Sequence, residues 1–255
     1  MRYFIELSYN GKMYHGWQIQ PNANSVQEVL ENALSLLLGV KTAITGCGRT
    51  DAGVHASQFF LHFDGFHDID LKDLQFKLNA FLPNDIVIHQ IFKVKNDAHA
   101  RFDAVYRSYE YRISLGKNPF LIDTTLQVKN QNLDMVKMNM AAKTLKSYED
   151  FKCFSRSKTD VKTFNCTITN AVWIKEDDIL IFRITANRFL RNMVRAIVGT
   201  LLEVGTGKIN LDDFRNIIIS RDRSNAGASV KAQGLFLCEV AYPKEIMNNY
   251  HVKTN

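Results

Sequence analysis

Cysteine is scarce in this chain: Cys47, Cys153, Cys166 and Cys238 are the only four in 255 residues, far apart and never in a CxxC pair. That spacing argues against a disulfide framework and matches no zinc motif, so the four are expected to be small buried hydrophobes. No apolar run reaches the length a membrane span requires, and no membrane partner is expected. The opening residues, Met1-Arg2-Tyr3-Phe4-Ile5-Glu6-Leu7, read as a strand and lack signal-peptide organisation. The expected compartment is therefore the cytoplasm. Charge of one sign is not abundant either: 32 Lys and Arg against 26 Asp and Glu leave +6, which permits a polyanionic partner without demanding one.

What is present is enough apolar material, 46% of the chain, for one large domain or two small ones. Residues 2–9 read as a strand. Ser25 with Glu28 gives a capping-box signal, Val26 to Leu38 has helical apolar spacing, and Gly39 can close the helix. Strands are predicted at Val40–Cys47, Gln58–Phe63 and Ile86–Val94, with a helix from Leu71 to Leu82 stopped by Pro83. This order is the ferredoxin-like split βαβ arrangement. It recurs: a strand over Val105–Leu115, a helix over Leu133–Leu145, and a hairpin of Phe164–Ile174 and Asp178–Thr185. A long helix over Phe189–Leu202, a shorter one near Leu211–Ile219 and a strand over Leu235–Ala241 complete the second round. The expected fold is α+β, with two ferredoxin-like halves, 1–104 and 105–245, joining mainly antiparallel sheets around a central cleft, and a short tail at 246–255. With helices on one face only, the other face is left for a partner copy, for solvent or for a long polyanion.

One loop stands out. Gly46-Cys47-Gly48-Arg49-Thr50-Asp51-Ala52-Gly53-Val54-His55-Ala56 lies between two predicted strands, with three glycines in eight residues. Such a loop follows a tight path or admits close approach by a ligand. It is neither GxGxxG nor a Walker A loop, because the glycine spacing is wrong and no Lys-Ser/Thr follows. A strand-flanked loop with little bulk suits a carboxylate nucleophile, Asp51. A turn-forming Asp or an ion pair with Arg49 accounts for the same residue more plainly. His55 reads as an orienting or substrate-contacting group, since no acidic cluster frames it as a metal ligand.

Basic and aromatic groups surround this centre in the sequence. Arg188, Arg191 and Arg195 fall at i, i+3 and i+7 and would share a sector of the helix predicted from Phe189, with Asn187 as its N-cap. Buried there, they would require carboxylate or phosphate partners; a solvated helix edge is the alternative. Tyr106, Tyr109 and Tyr111 alternate among Arg101, Arg107 and Arg112, a mixture suited to stacking a base beside a phosphate and equally to an ordinary strand. Lys152, Arg156, Lys158 and Lys162 form a basic segment able to grip phosphate or simply to be solvated.

In combination these blocks resemble the tRNA pseudouridine synthase A family. Gly48-Arg49-Thr50-Asp51-Ala52-Gly53-Val54-His55 matches that family's signature, and Arg107-Ser108-Tyr109-Glu110-Tyr111-Arg112 resembles its Arg-Tyr-x-Tyr strand. Ala186 to Arg195, Ile197-Val198-Gly199, Glu203-Val204-Gly205 and Ala226 to Leu235 follow in the family's order. Ala228 stands where proline is usual, and Ser108 where a basic residue is common. The resemblance implies a pseudouridine synthase fold and an isomerase converting uridine to pseudouridine at positions 38, 39 and 40 of the tRNA anticodon stem-loop. It implies Asp51 as nucleophile, Tyr109 as the ring against the base, Arg195 as partner of the Asp51 carboxylate, and Arg49 as the group that opens the stem or holds the displaced nucleotide. His55, Arg101, Arg156, Lys158, Arg188 and Arg191 are the further substrate-binding candidates. It also implies a homodimer with one tRNA across both subunits, and no metal or organic cofactor.

The chemistry suits such residues. The reaction moves C1′ from N1 to C5 of one base, with no oxidation change and no atom gained. Attack by Asp51 at C1′, a glycal-like route and attack at C6 all fit the same groups. A cation beside the carboxylate favours its ionised form, and reaching a paired base requires flipping. A non-catalytic RNA-binding module would share the repeated ferredoxin-like outline. A metal-dependent phosphohydrolase would need an acidic or histidine cluster that does not accompany Asp51.

Overall fold

A computed structural model describes residues 1–65, 69–128, 132–157 and 161–250. The chain forms two compact units: Met1–Val105 together with the residues from Leu237 onward, and Tyr106–Phe236.

The first unit runs β1 (Arg2–Tyr9), α1 (Val26–Leu38), β2 (Ile44–Gly46), β3 (His55–Asp64), α2 (Leu71–Phe81) and β4 (Ile86–Val94). The strand order β4-β1-β3 continues through β2 on β3, all antiparallel. This is the split βαβ order. Helix α1 forms as its sequence dictates. The Ser25 hydroxyl accepts the Glu28 N–H at 3.3 Å, Leu30, Ala33 and Leu34 are buried, and Gly39 takes φ +66° at the C-cap. Asp70 caps α2 by accepting the N–H groups of Lys72 and Asp73. The predicted strand Val40–Cys47 shrinks to three residues. The Thr42 N–H donates to Ser35 Oγ and its hydroxyl donates to the Val40 carbonyl, tying 40–42 to the end of α1. In exchange β3 is longer than expected and begins at His55.

Both faces of β1 are buried, with Tyr3, Phe4, Ile5 and Leu7 at 2% exposure or less. The face carrying Phe4, Phe60 and Phe92 receives the rings of Tyr242 and Tyr250. Tyr250 also donates to Glu6 Oε1 at 3.0 Å, and the Asn249 side chain donates to the Lys93 carbonyl. The described part of the tail is therefore packed against the first unit.

The second unit contains β5 (Tyr106–Ser114), β6 (Leu126–Gln127), α3 (Met135–Thr144), β7 (Ile168–Glu176), β8 (Ile179–Ala186), α4 (Met193–Gly205) and α5 (Leu211–Ser220). Its strands order as β5-β8-β7 with antiparallel pairs, and the two-residue β6 runs parallel to β5. The β7–β8 hairpin turns at Asp177, whose φ is +51°. Residues 164–167 lie outside β7, because Cys166 N–H bonds to the Glu149 carbonyl instead of a sheet neighbour. The last strand, β9 (Leu235–Ala241), starts in the second unit, and from Leu237 it belongs to the first, beside β3.

The helix expected from Phe189 begins only at Met193. Asn192 sits in the left-handed region at φ +67°, which interrupts any helix running through it. The carbonyl of Arg191, which a helix would give to Arg195, accepts the Arg156 N–H at 3.0 Å. Asn187 is not an N-cap. Its side-chain oxygen accepts the Thr167 N–H at 2.8 Å and its own N–H donates to the Thr167 carbonyl, so it ends β8 by bridging to the chain before β7. Only Arg195 of the three arginines is helical.

Candidate functional site

The aspartate loop is built by the first unit. It leaves β2 at Gly46 and enters β3 at His55, and its tip is a turn in which Val54 N–H bonds to the Asp51 carbonyl at 3.1 Å. Gly53 supplies the positive φ, +75°, which a side chain rarely tolerates. The segment Gly11–Trp17 then grips the loop from outside. Gly53 N–H donates to the Tyr14 carbonyl, Trp17 N–H donates to the Thr50 carbonyl, and Gly11 N–H donates to His55 Nδ1 at 3.0 Å. A buried hydroxyl pair, Tyr9 Oη and Thr50 Oγ1 at 2.9 Å, pins the residue immediately before Asp51. The approach leaves no room for side chains: a Cβ on Gly11 would lie 2.0 Å from the Val54 carbonyl oxygen, and one on Gly16 2.4 Å from that of Thr50.

Asp51 is half-buried at the tip of this clamped loop, and Arg49 is exposed. His55 is only 1% exposed, so its ring braces the Gly11 turn and is not on the surface. Arg49 and Arg101 line a shallow open groove of about 150 Å³ with Trp17, Gln27, Thr45 and Gly48. A Cβ at Gly48 would meet nothing within 4 Å, so that glycine leaves the groove wall open to an approaching ligand.

The second unit holds the other candidates. Tyr109 is half-buried on β5, with its ring edge-on to Phe189 at 5.0 Å. Tyr111, two residues on, is fully buried and donates to the Lys231 carbonyl at 2.7 Å; burial raises its pKa although the Arg195 charge pulls the other way. Arg195 is half-buried near the start of α4, donating through Nε to the Val230 carbonyl at 2.7 Å while its own carbonyl accepts the Val230 N–H. The loop 226–230 is pressed against that helix. A Cβ on Gly199 would fall 1.9 Å from the Ala228 carbonyl oxygen, and Gly227 N–H donates to Thr200 Oγ1. Arg223 closes the loop by donating to the Ala226 carbonyl and to Ser229 Oγ.

Arg156, Arg188 and Arg191 all lie outside helices. The backbones of Arg156 and Arg191 are hydrogen-bonded, and Arg188 Nη1 donates to the Thr163 carbonyl at 3.4 Å. Lys158 lies outside the described residues. On β5, Arg112 turns to Glu110 and stacks over Phe236 at 4.2 Å, and Arg183 holds the second Glu110 oxygen at 2.7 Å. Burial of Glu110 works against its charge, but the bonds from Arg183 and Arg112 keep its carboxyl below the ordinary range. That cluster is structural.

None of the four cysteines forms a disulfide; Cys47, Cys153 and Cys166 are buried, Cys238 partly so. Burial pushes the thiols of Cys153 and Cys166 up to about 12 and about 11. Among the described residues no three His, Cys, Asp or Glu side chains gather as a metal site. No helix among them is long and apolar enough to cross a membrane. Sequence reasoning missed the Tyr9–Trp17 clamp. Its signal was present in Gly11, Tyr14, Gly16 and Trp17, two of the smallest and two of the largest residues within seven.

Similarity to known proteins agrees with this architecture. The family described as tRNA pseudouridine synthase matches residues 7–103 and 141–243. The tRNA pseudouridine synthase A of Parabacteroides distasonis is 52% identical over 246 residues, 96% of this chain and 97% of its own length. The protein of the same name from Bacteroides fragilis is 53% identical over 247 residues, 96% and 98% of the two chains. That from Bacillus licheniformis is 38% identical over 245 residues, 95% and 99%. A family match on both sides of the 104–140 interval, with relatives aligned nearly end to end, leads to one conclusion: this α+β chain belongs to the tRNA pseudouridine synthase A family.

Proposed function

We propose that this chain, an isomerase by family, converts uridine to pseudouridine at positions 38, 39 and 40 of the tRNA anticodon stem-loop. The observation that carries the reading is the aspartate loop. Asp51 stands half-buried at the tip of a turn whose backbone is held by Tyr14, Trp17 and the Tyr9–Thr50 hydroxyl pair. A carboxylate fixed in this way is preorganised to meet one sugar carbon.

In this reading Asp51 is the nucleophile. The Asp51 carboxylate bonds C1′ as the bond from C1′ to N1 breaks, the uracil turns, and C5 displaces the carboxylate as the bond from C1′ to C5 forms. The C5 proton leaves and N1 ends carrying a proton, so the atoms balance with no redox partner. Tyr109, its ring set edge-on by Phe189, retains the detached base by stacking. Arg195 is the cationic partner of the Asp51 carboxylate. Its guanidinium is oriented by the Val230 carbonyl. His55 positions the loop through Gly11. Arg49 and Arg101 in the groove, and Arg156, Arg188 and Arg191 in the second unit, supply phosphate contacts for the opened stem. The working form is a homodimer with one tRNA across both subunits, in the cytoplasm, without metal or organic cofactor.

Site-resolved mapping of pseudouridine on unmodified tRNA transcripts tests the assignment. Product at positions 38 to 40 supports it. Product at other positions keeps the isomerase and removes the anticodon-arm specificity.

A further inference from the structure

The connection from β4 towards β5 contains a short helical turn with an unusual cap. Asp103 N–H bonds to the His99 carbonyl at 3.1 Å, and the Asp103 carboxylate accepts the His99 N–H at 2.7 Å. Such a turn leaves its first N–H groups without partners of its own. Here imidazoles take them. The N–H groups of Arg101 and Phe102 donate to His99 Nδ1 at 3.1 and 3.3 Å, and that of Ala100 donates to His62 Nδ1 at 3.1 Å. His99 thus does the work that Ser, Asp or Asn usually does at an N-cap. The turn is tied down further, since Arg2 donates to the Ala98 carbonyl while paired with Asp64, and Tyr242 donates to the Ala100 carbonyl.

This heavily braced turn presents Arg101, exposed, and Phe102, 76% exposed. One side of the Phe102 ring packs on His99, with centroids 4.2 Å apart, and the Arg101 guanidinium lies 6.0 Å from the Phe102 centroid. Exposure alone decides nothing, because Phe76 and Phe120 are also exposed, at 74% and 92%. What sets Phe102 apart is its setting. It is carried on a capped turn and packs on His99, it adjoins an arginine, and that arginine lines the same groove as Arg49. An aromatic face beside cations on a basic chain fits a nucleobase and its phosphate.

We propose that Phe102 is an RNA-stacking residue, receiving an unpaired base of the bound RNA while Arg101 holds the neighbouring phosphate, and that His99 is the positioning residue for both. This rests on the assignment of an RNA substrate. It adds a contact outside the aspartate loop, and the base it takes need not be the one isomerised.

The test is binding of unmodified tRNA transcript by the full chain at fixed salt, with pseudouridine formation followed in parallel. Phe102→Ala and Phe102→Leu should each weaken binding about tenfold, the lower end of the effect of losing one base–aromatic stack, and Phe102→Tyr should retain it. Leucine keeps an apolar contact with His99 but has no π face, so full affinity in Phe102→Leu would mean a packing role and overturn the proposal. His99→Ala should weaken binding and His99→Asn, which restores the cap acceptor, should recover it; equal loss in both overturns the positioning role. If the Phe102 variants change oligomeric state while RNA affinity stays at the wild-type value, the surface is a protein contact and the proposal fails. A wild type that binds tRNA without modifying it removes the enzymatic reading and leaves the stacking test intact. A wild type that does neither removes both.

Discussion

Thr50 and Asp51 are neighbours with opposite duties. Thr50 is 8% exposed and bonded to Tyr9, while Asp51 is held out at the turn. Replacing Thr50 with Val should cost about 1 kcal/mol of stability, the usual net worth of one hydrogen bond. It should lower turnover more than it lowers tRNA affinity, which unfolding and single-turnover measurements separate. Gly16→Ala should be harsher, because φ is +96° and the new Cβ would lie 2.4 Å from the Thr50 carbonyl oxygen. A loss of about 2 kcal/mol or more is expected, with a displaced aspartate loop. Histidines add a pH signature. Burial, then the Arg2 charge, pull His62 down to about 4, and the same causes lower His99. Both pKa values fall below that of an unfolded histidine, so the unfolded chain takes up protons first. Stability from these two sites is therefore complete above about pH 6.5 and is lost as pH falls towards 4. Thermal melts should show this decline, and His62→Asn should flatten it; a wild-type melting temperature constant from pH 7 to 5 would contradict a neutral pair formed by the buried His62 and the half-buried His99.

At the scale of elements, α4 depends on a contact that the sequence concealed. Its Gly199 allows the 226–230 loop to touch the helix backbone, and that loop in turn holds Arg195. Gly199→Ala should destabilise the protein strongly and reduce activity with it. Gly39→Ala, where a Cβ meets nothing, should cost only about 1 kcal/mol from its left-handed φ and leave activity unchanged. The contrast also shows what could be read in advance. Helix α1 was legible because its signals are local: Ser25, the apolar spacing and Gly39 all lie within 15 residues. The start of α4 was not, because Phe189, Leu190 and Met193 have helical spacing while the deciding contacts are non-local. Arg156 takes the Arg191 carbonyl and Thr167 takes Asn187, and neither pairing leaves a trace in the local sequence. The aspartate loop was visible by its glycines, but its clamp was not, since Gly11–Trp17 is some 35 residues away and forms only one short 3-10 turn.

For the molecule as a whole, the proposed arginine–phosphate contacts predict tRNA binding that weakens with salt. Removing Arg188 or Arg191, each proposed above to contact phosphate, should reduce the slope of log K against log salt by about 1. An unchanged slope would take that residue out of the interface. The repeated strand–helix order was legible in the sequence. The return of Leu237 onward to the first unit was not, because a strand's partner is chosen by the sheet edge it reaches and not by its own alternation. The nucleophilic role of Asp51 is tested by comparing wild type with Asp51→Asn on unmodified tRNA, mapping pseudouridine by position and measuring binding in the same samples. Product is expected in the anticodon stem-loop with wild type alone, with near-equal binding by both; product formed by Asp51→Asn at the wild-type rate would rule that role out.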